Sequence, residues 1–143
     1  MNFLRIFLAA VGAFVAYFAI GGAMFVTLPF IKDEFAKFPA VYRDKEGQMS
    51  RMPAGMLAIF VSIFTMATLY AMLYKPTLNL AASAQMGTMF GALIGLFVIT
   101  AFVIHNHVNL NISWKLTVQQ SIAYFVEWLV VGIVIGLIYR PAM

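Results

Sequence analysis

Cysteine is absent from the 143 residues, which excludes disulfides, thiolate metal sites and a cysteine nucleophile. Charge is scarce too. Asp, Glu, Lys and Arg make up 10% of the chain, against about 25% in a soluble domain. Acids are the rarest of these: Asp33, Glu34, Asp44 and Glu46 cluster in one stretch, and Glu127 stands alone in AYFVEWLVVG, residues 123–132. No Gly-rich phosphate loop follows a strand, and no HExxH, paired-carboxylate or Ser/His/Asp arrangement is readable. No catalytic residue can therefore be named, and a non-catalytic protein is expected.

Apolar residues are abundant, at 64% of the chain, where a soluble domain averages about 45–50%. A soluble fold of this length could not bury that much apolar surface, so the remaining solvent is the lipid bilayer. The formal charge of +4 does not point to nucleic acid, because the basic residues sit at the ends of apolar runs, where headgroups lie. The N-terminal apolar stretch, Ile6 to Phe30, exceeds the roughly 7–15 residues of a signal-peptide core. It reads as a retained first helix.

Four runs are long enough to cross a hydrocarbon core of about 30 Å at about 1.5 Å per residue. They fall near residues 4–28, 53–74, 80–105 and 116–139. Backbone polar groups in lipid must be satisfied within each segment, so the runs are helices. The expected fold is an all-α, four-transmembrane-helix antiparallel bundle, one integral membrane domain over 1–143. Ser50 is expected to cap the second helix with Pro53 in its first turn. Pro141 is expected to follow the fourth. In the first loop, Ile31, Phe35 and Phe38 share a helical face, which predicts a short interfacial helix ended by Pro39.

We call the face carrying the termini and the second loop side A, and the face carrying the first and third loops side B. Lys32, Lys37, Arg43, Lys45, Arg51 and Lys115 belong to side B, whereas Arg5, Lys75 and Arg140 belong to side A. The positive-inside rule then puts side B in the cytoplasm.

Lipid tails give helices no hydrophobic reason to associate, so close packing or polar contacts must do it. Ser83, Gly87, Gly91 and Gly95 recur every four residues on the third helix, and Gly132 and Gly136 repeat that step on the fourth. At about 100° per residue, Gly132 and Gly136 lie roughly opposite Glu127. If Glu127 points inward, the two glycines are expected to face lipid or a second protein. Packing within the bundle is the preferred reading of the small-residue stripe, and a homo-oligomer or a larger membrane complex is the alternative partner, besides the bilayer itself.

A carboxylate at helix centre costs about 2.5–3.5 kcal/mol on insertion scales, so Glu127 should face protein or water. Matching depths from side B gives Tyr17, Ser62 and Gly95 as expected neighbours, with Thr65 a turn away. Gln120 and Tyr124 share its helix face and extend a polar track toward side B. Two readings follow. Glu127 either ties helices together as a neutral acid, or it exchanges protons or binds a cationic ligand.

His105 and His107 lie at the side B end of the third helix. A continuous helix sets them about 200° apart, so they can chelate one ion only if the helix unwinds after His105. Met52 and Met56, with Met49, share one face of the second helix, and thioethers suit Cu(I). Copper at His105, His107, Met52 and Met56 is the metal alternative, and haem would need histidines from a second copy. No cofactor is expected in the preferred reading.

Four short helices and one membrane-embedded Glu are similar in architecture to small multidrug-resistance exporters. In that family, however, the acid is on the first helix, and the first loop is shorter. YRDKEGQMSRMPAG before the second helix, with GLFVIT, NLNISW and EWLVVGIVIGLIY over the third and fourth, resembles small uncharacterised bacterial four-helix membrane proteins. That resemblance implies a bacterial inner membrane and supplies no activity. The sequence thus leaves a scaffold, complex subunit or small binding module as the main expectation, and a proton-coupled transporter using Glu127 as the alternative.

Overall fold

The computed structural model describes residues 2–140; Pro141 lies outside them. The chain is all-helical, without strands among these residues. Helix α1 spans Phe3–Gly21 and continues as a π-helical segment, Gly22–Thr27. Helix α2 is Pro29–Phe35, and α3 is Lys45–Leu73. Helix α4, Leu80–Val98, runs through a second π-helical segment, Ile99–Ile104, into α5, His105–Asn109. Helix α6 is Trp114–Ile138. Four helical stretches, Phe3–Thr27, Lys45–Leu73, Leu80–Asn109 and Trp114–Ile138, are long and apolar enough to cross a membrane.

Each of the four starts on a polar cap. The side chains of Asn2, Asp44, Asn79 and Ser113 accept hydrogen bonds from the backbone N–H groups of Arg5, Gly47, Ala82 and Leu116. Such bonds satisfy donors that a helix start leaves free. Ser50 does not cap α3, contrary to expectation. Asp44 does, with Glu46 in the first turn, so α3 begins at Lys45 and carries Pro53 inside it. The Ser50 hydroxyl instead donates to the Gly47 carbonyl. Pro53 costs the helix one backbone bond. It is tolerated where residues 48–58 are exposed all round and no neighbour fixes the helix path. The interfacial helix is also shorter than expected: α2 ends at Phe35, before Pro39.

The helices form an open array with α6 at its centre. Helix α4 packs along one side of α6 and α1 along the other, while α3 leans mainly on α1. On the α4 side the seam is backbone against backbone. A Cβ at Gly87 would sit 2.5 Å from the Gly132 carbonyl oxygen, and one at Gly91 would sit 2.7 Å from that of Trp128. A Cβ at Gly136 would reach the Ser83 carbonyl at 2.5 Å. Gly95 lies against the Phe125 ring.

Gly132 and Gly136 are therefore buried inside the bundle, and the expectation that they face lipid or a partner is corrected. The two glycines do lie away from Glu127, but α6 is covered on two sides, so both faces point inward. At the side A end an aromatic cluster closes the array. Tyr70 stacks on Tyr74 at 4.7 Å and meets Phe90 at 5.4 Å and Tyr139 at 6.3 Å, joining α3, α4 and α6.

Candidate functional site

The polar residues of α6 lie in its side B half and run from Ser113 to Glu127. At the inner end Glu127 is 1% exposed, and its Oε2 has no hydrogen-bond partner. Tyr17 of α1, also buried, faces the same carboxyl and leans on the Trp128 ring at 5.5 Å. The backbone of Gly21 passes against the same carboxyl, where a Cβ would collide with Oε1. Gly21 was not foreseen, although it follows Tyr17 by four residues and so shares its face.

One turn nearer side B, Tyr124 lines one cavity together with Tyr42 and Gln120 and meets the Phe25 ring at 5.3 Å. Gln120 is buried and donates from Nε2 to the Tyr42 hydroxyl at 3.1 Å. Glu127, Tyr17, Gln120 and Tyr124 are thus brought together, with Tyr42 of the first loop as an added member. Ser62 and Thr65 are not among them. Both are exposed on α3, and their hydroxyls donate to the Ala58 and Val61 carbonyls of their own helix. The reason is that α3 packs on α1 and scarcely touches α6. Gly95, expected beside Glu127, instead lies on the α4 side of α6.

Two cavities border the track. One, of about 700 Å³, is lined by Phe25 and Val26 of the first π-helical segment, by the first loop and by Tyr124. The other, of about 260 Å³, is lined by Val98, Phe102 and Val103 at the second π-helical segment, and by Tyr42, Gln120 and Tyr124. The extra residue in each π turn widens the helix there, a feature often found beside functional sites.

Glu34 anchors the first loop. It is 4% exposed, and its Oε2 lies 2.8 Å from Lys37 Nζ and 3.2 Å from Lys115 Nζ. The Ser113 hydroxyl donates to its Oε1 at 2.9 Å. The bond from Lys37, then those from Ser113 and Lys115, hold its carboxyl down at about 2. These bonds put loops one and three on the same face. Glu34 was not singled out in the sequence. Its position three residues after the buried Ile31 was the available signal, since it places the acid on the buried side of α2.

The histidines diverge, because the chain stays helical through Asn109. His105 is exposed. His107 stacks on Trp114 at 3.7 Å, with Nδ1 2.9 Å from Thr117 Oγ1. Met52 and Met56 are exposed on α3. Among the described residues no three of His, Cys, Asp and Glu gather as metal ligands.

No curated protein and no solved structure matches the chain. A family model described as "Protein of unknown function (DUF1761)" matches residues 8–136. This all-helical chain, with four helices fit to span a membrane, therefore belongs to the DUF1761 family.

Proposed function

We propose that the chain is a non-catalytic membrane binding module that exchanges a proton at Glu127 with side B, in a bacterial inner membrane with side B cytoplasmic. One observation carries this reading: Glu127 is buried at membrane depth, yet Oε2 has no partner. An acid used only to tie helices would be expected to engage both oxygens, because an unpaired polar atom in lipid is costly. The free oxygen here lies at the inner end of a line of hydroxyl and amide groups, Tyr124, Gln120 and Tyr42, flanked by two cavities. That line supplies donors and acceptors for a proton or for a small protonated ligand. No second acid supports paired-carboxylate chemistry in the track.

The test is labelling by an apolar carbodiimide, which reacts with the neutral carboxylic acid. In mild detergent the wild type should take up one reagent at Glu127, and the yield should fall as pH rises. Glu127→Gln should keep its unfolding free energy to within about 1 kcal/mol, since few hydrogen bonds are lost. A strong loss of stability in that variant, with labelling indifferent to pH, would return Glu127 to a purely structural role.

A second reading, subunit of a homo-oligomer or of a larger membrane complex, is favoured by α3. Residues 48–58 are exposed, and they include Met49, Met52, Met56 and Leu57. Native mass measurement in lipid discs tests it, and a monomer with no co-purifying chain would reject it.

A further inference from the structure

The larger cavity carries charge that the proton path does not use. Its mouth holds Lys32 of α2, Arg43 of the loop, and Lys45 at the first turn of α3, against one acid, Asp44. Asp44 is already committed, since its Oδ1 accepts from Gly47 N at 2.8 Å. Among the described residues the ion pairs involve only Glu34 with Lys37 and Lys115, so the three cations at the mouth have no acidic partner there. Arg43 and Lys45 also flank the positive end of a long helix, where basic side chains oppose the helix dipole. Their placement does not serve the helix, but an anion bound there would draw on all three cations and on the dipole together.

The walls narrow the choice of anion. Phe25, Val26, Phe35 and Pro39 line the same cavity, and Val26, in the π-helical segment that continues α1, is 69% exposed. The cavity therefore joins a cationic side to an apolar flank that reaches the surface at Val26. A small free anion would have no use for the apolar side, whereas a lipid presents a charged phosphate and a chain in that order. We propose that this cavity binds the headgroup of an anionic phospholipid, with the phosphate held by Lys32, Arg43 and Lys45 and the glycerol end of the chains against Phe25 and Val26. This site shares Tyr42 and Tyr124 with the polar track, but its phosphate contacts are Lys32, Arg43 and Lys45, so binding there does not depend on proton exchange at Glu127.

The test uses the full chain in a neutral detergent, titrated with short-chain phosphatidylglycerol, phosphatidylcholine of the same chain length, or inorganic phosphate. Binding is read by thermal shift and by native mass. Phosphatidylglycerol should bind and the other two should not. The triple variant Lys32→Gln, Arg43→Gln, Lys45→Gln should weaken it about a hundredfold, taking about 1 kcal/mol per cation near a headgroup. Lys75→Gln on side A should leave it unchanged. Ala36→Trp, which fills the cavity from an exposed wall position without removing charge, should also abolish binding, so the proposal does not hang on the triple variant folding. Equal binding of phosphatidylcholine, or full retention in Ala36→Trp, would overturn it. Inorganic phosphate binding as tightly as phosphatidylglycerol would overturn the lipid assignment and leave a simple anion site.

Discussion

The two halves of α6 are built on different principles. From Trp128 to Ile138 the helix carries no charged side chain, and glycines let it press against α4 with backbone in contact with backbone. From Ser113 to Glu127 it is studded with Thr, Gln, Ser, Tyr and Glu, and it runs beside two π-helical segments and two cavities. The first half is closed by shape. The second is held by hydrogen bonds and an ion cluster and leaves space. In a bilayer, where apolar burial gives helices no net reason to meet, this division separates the seam that assembles the helices from the half that leaves space. The dry half fixes the helices so that the polar half can stay open.

The largest effect is expected from Gly132→Leu in the glycine seam. A Cβ there would run into the backbone of Gly87 and Gly91, and backbone cannot step aside as a side chain can. The helices must separate, and the expected loss is about 3 kcal/mol, at the upper end of ordinary overpacking. Thermal unfolding in detergent reads it. A variant melting with the wild type would mean that the seam is not closed in the protein.

Glycines in the polar half offer a smaller and more selective test. A Cβ at Gly21 would collide with the Glu127 carboxyl, whereas one at Gly22 meets nothing within 4 Å. Gly21→Ala should cost about 1–2 kcal/mol, because the flexible Glu127 side chain can shift. It should also change carbodiimide labelling of Glu127. Gly22→Ala should be neutral to within about 0.5 kcal/mol. If both behave alike, the close approach of α1 to Glu127 is wrong.

Much of the seam could be read from spacing. The Ser83–Gly95 stripe and the Gly132/Gly136 pair have a period of four, and close helix packing needs that period. Spacing on one helix cannot say how many neighbours it has, which is why Gly132 was expected to face outward. The acid and its own-helix track, Gln120 and Tyr124, were legible because helical periodicity is a local property. Its partners on other helices were not all so. Depth matching found Tyr17 but also offered Ser62, since depth says nothing about which helices are adjacent. The π-helical turns have no clear marker in the sequence, and the burial of Glu34 shows only through its place three residues after Ile31.

Glu34 provides a test confined to the polar half. The pKa of its carboxyl is pushed down to about 2 by Lys37, Ser113 and Lys115, well below the usual carboxylate range. A depressed folded-state value means the contribution is present above the unfolded value and is lost as pH falls through the folded one. Docking of α2 should therefore be intact above about pH 4.5 and fail progressively toward pH 2. Glu34→Gln should show the released state already at neutral pH. Hydrogen exchange of residues 29–42 should quicken a few-fold, while the glycine seam and the global melting temperature stay put. Uniform loosening of the whole chain would contradict the separation of the two halves.

The smallest effect is expected from Ser62→Ala and Thr65→Ala, and it bears on which helix completes the polar half. Both hydroxyls bond back to carbonyls four residues earlier on an exposed face of α3. Such a bond satisfies the hydroxyl locally and asks nothing of a neighbouring helix. Removing it should change stability by less than about 0.5 kcal/mol and leave Glu127 labelling as it was. The result discriminates because the alternative is specific. If α3 swung in to meet α6, Ser62 and Thr65 would reach the depth of Glu127 and one of them could supply the missing partner of Oε2. The double variant would then lose stability and label faster. An unchanged variant leaves that oxygen free on the α1 side, where the proposed proton exchange requires it.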